Sequence, residues 1–112
     1  MRLFILAAGL VLAGSTAAHA ADTKFWNLTS HTVDNFQLAP AGTTTFGPNL
    51  CLADKDKSVD SDERLKLAGV ESGHYDVKLK DTTGRMCTVK NVEIKAGKVF
   101  SISEKELTDC TQ

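Results

Sequence analysis

The chain reads as all-β, a small antiparallel sandwich of about six or seven short strands. Three observations predict it. Tyr75, Val77 and Leu79 alternate with Asp76, Lys78 and Lys80, the pattern of a half-buried antiparallel strand. Turn-forming clusters recur at Ser30-His31, Ala39–Gly42, Glu71–Gly73, Asp81–Arg85 and Lys95–Lys98. Beyond residue 20 no long 3.6-residue apolar repeat occurs, which removes helical bundles from consideration.

The elements follow in order. Lys24 to Thr29 carries the β-formers of a first strand, with Trp26 and Leu28 on one face. Asn27-Leu28-Thr29 is formally a glycosylation sequon, but a strand interior is a poor acceptor. Thr32 to Leu38 is a second strand whose two-residue period slips near Asp34-Asn35, as a bulge would cause. Ala39 to Asn49 is a loop rich in Gly, Pro and Thr. Leu50-Cys51-Leu52 pins the entry to an acidic run, and Leu65 and Leu67 alternate with Lys66 as that run ends. The Tyr75–Leu79 strand turns at Asp81–Arg85 and returns as Met86 to Ile94. There Val92 and Ile94 fall out of phase with Cys87 and Val89, so a second bulge belongs near Lys90-Asn91. Val99 to Ser103 is a last strand with Phe100 and Ile102 inward, and the polar tail offers a helical turn or a strap.

The N-terminus carries a processing signal. Met1 and Arg2 give a positive start, Leu3 to Ala13 is apolar, and Ala18-His19-Ala20 suits signal peptidase. The apolar run has eleven residues, whereas a spanning helix needs ~20. Residues 1–20 are therefore expected to be a cleaved signal and 21–112 a single secreted or periplasmic domain, with no membrane insertion after cleavage. Of the 112 residues, 92 remain after that cut, with twelve basic and fourteen acidic side chains. A net charge of −2 and scattered lysines argue against nucleic acid as a partner.

Cys51, Cys87 and Cys110 allow three pairings and leave one thiol over. Cys87 with Cys110 is favoured, because it ties the tail to a strand. Cys51 is then free in a monomer, or links two chains as a dimer. Cys-x-x-Cys spacing is lacking, which removes thioredoxin-type redox chemistry.

The acidic run carries the one candidate site. Asp54, Asp56, Ser58, Asp60 and Asp62 place oxygens at every second position, and Glu63 closes the run. Such spacing suits Ca²⁺, which gathers six to eight oxygens from a turning segment. The stretch resembles EF-hand loops and shorter extracellular calcium loops, which implies one structural Ca²⁺ on these residues. In the EF-hand comparison Val59 stands where the turn glycine belongs, and Leu65 where the closing glutamate belongs. A β-branched residue resists positive φ. Lys55 and Lys57 also reduce the local charge of 54–63 to −3. The competing reading is a solvated loop whose charges keep a sheet edge from pairing, and these departures favour it.

Other resemblances are coarser. Ser72 to Leu79 with Asp81 to Gly84 resembles a hairpin of secreted prealbumin-like and immunoglobulin-like sandwiches, which implies fold alone. Phe25 to Ser30 with Ala39 to Thr43 resembles small exported bacterial proteins of unknown function, which implies a periplasmic home. Catalytic signals are weak: no G-x-S-x-G frames a serine, and His31 and His74 read as turn and strand-end residues. The expectation is a non-enzymatic binding or structural module for a protein or envelope component. Its alternatives are a calcium-dependent sensor or buffer, and an enzyme inhibitor that inserts the Pro40–Asn49 loop into a cleft.

Overall fold

The structure, a computed structural model, describes residues 21–112. The expected signal sequence, residues 1–20, lies outside them. Seven strands form two sheets: β1 (Thr23–Leu28), β2 (Val33–Pro40), β3 (Arg64–Leu67), β4 (Gly73–Asp81), β5 (Met86–Ile94), β6 (Val99–Ser103) and β7 (Asp109–Thr111). One sheet has the order β3-β1-β6 and the other β2-β4-β5-β7. The fold is the expected β-sandwich. One pair departs from antiparallel: β6 runs parallel to β1, with Phe25 beside Phe100 and Asn27 beside Ile102. The Lys95–Lys98 turn carries the chain from β5 across to the other sheet, so β6 joins an existing strand instead of closing a hairpin.

Phenylalanine rings join the layers. Phe25 and Phe100 come from one sheet and Phe36 from the other. Phe25 stacks on Phe36 with centroids 4.4 Å apart, and Phe100 lies 5.7 Å from Phe25. Such pairs contribute ~0.5–1.5 kcal/mol beyond the area they bury. Leu65, Val77, Leu79 and Ile102 complete the fully covered core around them.

Both expected bulges are present. β2 shifts register against β4 between Val33 and Asn35, and β5 shifts against Tyr75–Val77 so that Val92 and Val89 face their partners in turn. Asn91 occupies the second bulge at φ 56°, a left-handed conformation that asparagine tolerates. Its amide donates to Asp76 Oδ1 at 2.9 Å, and the Gly42 amide donates to Asp76 Oδ2 at 3.1 Å. These two amides hold the Asp76 carboxyl below its usual range. Asp76 therefore anchors the bulge and the loop after β2 together.

Trp26 and Leu28 do share a face of β1, and it is the outer one. The inner face carries Thr23, Phe25 and Asn27. Asn27 is admitted to the core because its polar atoms are satisfied. Its amide donates to the carbonyls of His31 and Val59, both at 3.0 Å, and its oxygen accepts from the Thr29 amide and hydroxyl. A side chain held this way cannot serve as a glycan acceptor in the folded chain.

The tail takes both expected forms, a 3-10 turn at Glu104–Glu106 and then β7 on the edge of β5. Cys87 and Cys110 face each other across these strands and are bridged.

Candidate functional site

The acidic segment is two turns divided by one apolar residue. In the first, the Asp54 carboxylate accepts from the Asp56 amide at 2.8 Å, and the Lys57 amide donates to the Asp54 carbonyl. Val59 then leaves the charged surface altogether. It is 2 % exposed and exchanges backbone hydrogen bonds of 2.9 Å with Val33, extending the edge of the sandwich. In the second turn Glu63 Oε1 accepts from the Asp60 amide at 3.2 Å, while Asp60 Oδ1 accepts from the Thr32 hydroxyl at 3.0 Å. Asp62 Oδ1 accepts from the Trp26 indole at 3.1 Å. Lys57 and Asp62 are the residues with positive φ in this run. The curl is thus made on either side of Val59, and Val59 is spared the conformation it resists.

Calcium fits this arrangement poorly. Asp54, Asp56 and Ser58 lie on one side of the Val59 bridge and Asp60, Asp62 and Glu63 on the other. Carboxylate oxygens of Asp54, Asp60, Asp62 and Glu63 are engaged by amides, a hydroxyl and an indole. Among the described residues no three His, Cys, Asp or Glu side chains gather as a metal site would require. The run acts as a clasp on the start of the sandwich, through Thr32, Val33 and Trp26.

Two other charged clusters have structural roles. Asp81, 1 % exposed, sits at the start of the β4–β5 turn. Burial opposes its ionisation, but the hydroxyl and amide of Thr83 and the guanidinium and amide of Arg85 outweigh that and lower its pKa. Arg85 continues to Glu104 with contacts of 2.6 and 3.1 Å. Its hydrogen bond, helped by the Ser30 amide, pulls the Glu104 carboxyl down to about 2. The chain β4–β5 turn, Arg85, Glu104, Ser30 fastens one end of both sheets.

Cys51 is unbridged and fully covered beneath the 3-10 turn Leu50–Ala53. Burial first, and then the charges of Asp34 and Asp54, push its thiol up to about 12. A thiol in this state is protonated and unreactive. Of the two fates expected for Cys51, an inter-chain link would first have to unpack this turn, whereas the free thiol is what the chain holds here.

The feature with the form of a binding site lies where the β2–β3 and β3–β4 connections meet. A groove of about 300 Å³ opens there, walled by Leu38, Pro48, Leu50, Val70 and Tyr75, with Glu71 among its lining residues. Leu38, Leu50 and Val70 each pack one side against the core and turn the other to the groove. Hydrogen bonds fix its walls. Asn49 imitates a strand residue along the edge of β2: its Oδ1 accepts from the Phe36 amide at 2.9 Å and its Nδ2 donates to the Asp34 carbonyl at 3.1 Å. The same Oδ1 caps the 3-10 turn through the Cys51 amide. Gly47 donates to the Leu38 carbonyl, and the Tyr75 hydroxyl donates to the Glu71 carbonyl at 2.6 Å. The Pro40–Asn49 loop, which the inhibitor alternative would use, is tied down at Gly47 and Asn49, where it forms a wall of the groove.

Glu71, exposed and among the residues lining the groove, makes no ion pair among the described residues. Sequence reasoning missed the groove. Its walls come from residues up to 37 positions apart, and the single local sign was the Gly47-Pro48 turn beside Leu50.

Comparison with protein-family models, curated proteins and solved structures finds no match to this chain.

Proposed function

We propose that the protein is an exported, non-enzymatic binding module that holds an extended segment of a partner protein in the Leu38–Tyr75 groove. The observation that carries this reading is the groove itself: a concave, mainly apolar site braced by hydrogen bonds, with Glu71 among its lining residues, the form that small binding sites take. The matching segment presents one bulky apolar side chain with a Lys or Arg beside it for Glu71. His31 and His74 lie on separate elements, the turn after β1 and the start of β4. The signal-like N-terminus and the Cys87–Cys110 bridge support an oxidising, extracytoplasmic home. No helix among the described residues is long and apolar enough to cross a membrane.

The test is selection of a random peptide library on residues 21–112. Enriched peptides are expected to pair an aromatic or long aliphatic residue with a basic one, and to lose binding to Leu50→Glu and Val70→Glu. Selection without enrichment, or binders indifferent to both substitutions, would refute the reading.

A further inference from the structure

The outer face of the β3-β1-β6 sheet has a charge pattern that the net charge of the chain conceals. Register sets two rows across it, Lys66–Lys24–Val99 and Arg64–Trp26–Ser101. No strand residue of this face is acidic. Lys24 and Lys66 stand directly opposite each other, an arrangement that destabilises a sheet. Lys66 has a carboxylate partner in Asp22, 3.6 Å away, with both side chains more than half exposed. Lys24 and Arg64 have no carboxylate within 4.0 Å among the described residues.

Protection of a sheet edge explains part of this pattern. Lysine or arginine on β3, an edge strand, discourages pairing with other chains. Lys24 lies on β1, the central strand, where no edge needs guarding. The second row is preorganised for an anion. Arg64 lies over the Trp26 ring, 4.3 Å from its centroid, and the indole is fixed by its bond to Asp62. A guanidinium stacked this way keeps its donor fork available for a carboxylate.

We infer that this face binds an acidic polysaccharide, with uronate carboxylates on Lys24, Lys66 and Arg64 and a sugar ring against the exposed part of Trp26. The acidic turn Asp60–Glu63 borders the Trp26 end of the face. A uronate chain offers both carboxylates for the cations and a sugar ring for the Trp26 side chain, which a row of phosphates does not. The groove is a separate site, and this inference does not depend on it.

The test is an NMR titration of residues 21–112 with polygalacturonate at low salt. Neutral dextran, phosphatidylglycerol vesicles and a DNA duplex serve as the other arms. Trp26 is the single tryptophan, so its indole resonance reports this face without ambiguity. Polygalacturonate is expected to shift the Trp26 indole and the Lys24, Arg64 and Lys66 amides, and dextran to leave them in place. Lys24→Gln with Lys66→Gln should weaken binding about tenfold and leave the fold intact, since it relieves a like-charge pair. Leu50→Glu in the groove should have no effect on it. The inference fails if polygalacturonate gives no shift, if the double variant binds as well as the parent, or if vesicles or DNA bind as tightly as polygalacturonate.

Discussion

Cys51 illustrates how burial decides what a residue can do. Its sulfur lies 3.8 Å from the Val33 carbonyl under the 3-10 turn, and its pKa of about 12 leaves no thiolate at neutral pH. The native protein should therefore show no thiol to Ellman's reagent, and one per chain after unfolding in guanidinium. A native thiol that reacts within seconds would show that the turn opens readily. The Asp81–Arg85–Glu104 chain makes a prediction about acid. Both carboxyls titrate below their ordinary values in the folded state, Glu104 at about 2 against 4.5. Their contribution is complete above the unfolded values and is lost as pH falls toward the folded ones. Stability should be level from neutrality to about pH 5.5 and decline between about 5 and 2. Asp81→Ala, which leaves the Thr83 and Arg85 amides without their acceptor and takes one of the two carboxylate partners from Arg85, should cost about 3 kcal/mol at pH 7. Glu104→Gln should cost under ~1 kcal/mol, because that carboxylate is partly screened by solvent. Urea melts across the pH range check both.

Among the elements, β7 is the weakest on its own: three residues on the edge of β5. The Cys87–Cys110 bridge closes a loop with a sequence separation of 23, for which chain entropy gives about 3 kcal/mol. Replacing both cysteines by alanine should lower the melting temperature by at least ~10 °C. It should also remove hydrogen-exchange protection from Asp109–Thr111 before any other strand. The acidic segment is held by Val59, so Val59→Ala should cost about 2 kcal/mol. Millimolar Ca²⁺ should leave Trp26 fluorescence and the melting temperature unchanged. A bound native-state ion at a hundred times its Kd would add about 2.7 kcal/mol, which a melt would detect.

Local chemistry explains which elements were legible from the residues. Alternation at Tyr75–Leu79 and phase slips at Asp34-Asn35 and Lys90-Asn91 are signals within single strands, and the strands and bulges formed where those signals lie. Asn27 inverted the apparent polarity of β1, because its partners at His31 and Val59 come from beyond the strand. The acidic run offered a cation loop as one of its two readings because spacing records which oxygens are near in sequence. It does not record which amides, hydroxyls and indoles will claim them.

At the scale of the whole molecule, the sites proposed here are products of assembly. The groove needs β2, β4, the 3-10 turn and the β3–β4 connection at once. The basic face needs β3 and β6 placed on either side of β1, and the β1–β6 pair is the parallel one that no hairpin signal announces. Whole-chain charge averaged that face against the acidic turns and hid it. The central claim is that a partner segment docks in the groove. The most direct measurement is the amide spectrum of isotopically labelled residues 21–112 with a library-selected peptide. Shifts are predicted to centre on Leu38, Gly47, Leu50, Val70 and Tyr75 and to vanish in Val70→Glu. Shifts centred on β5 and β7, or an unchanged spectrum in the presence of the peptide, would contradict it.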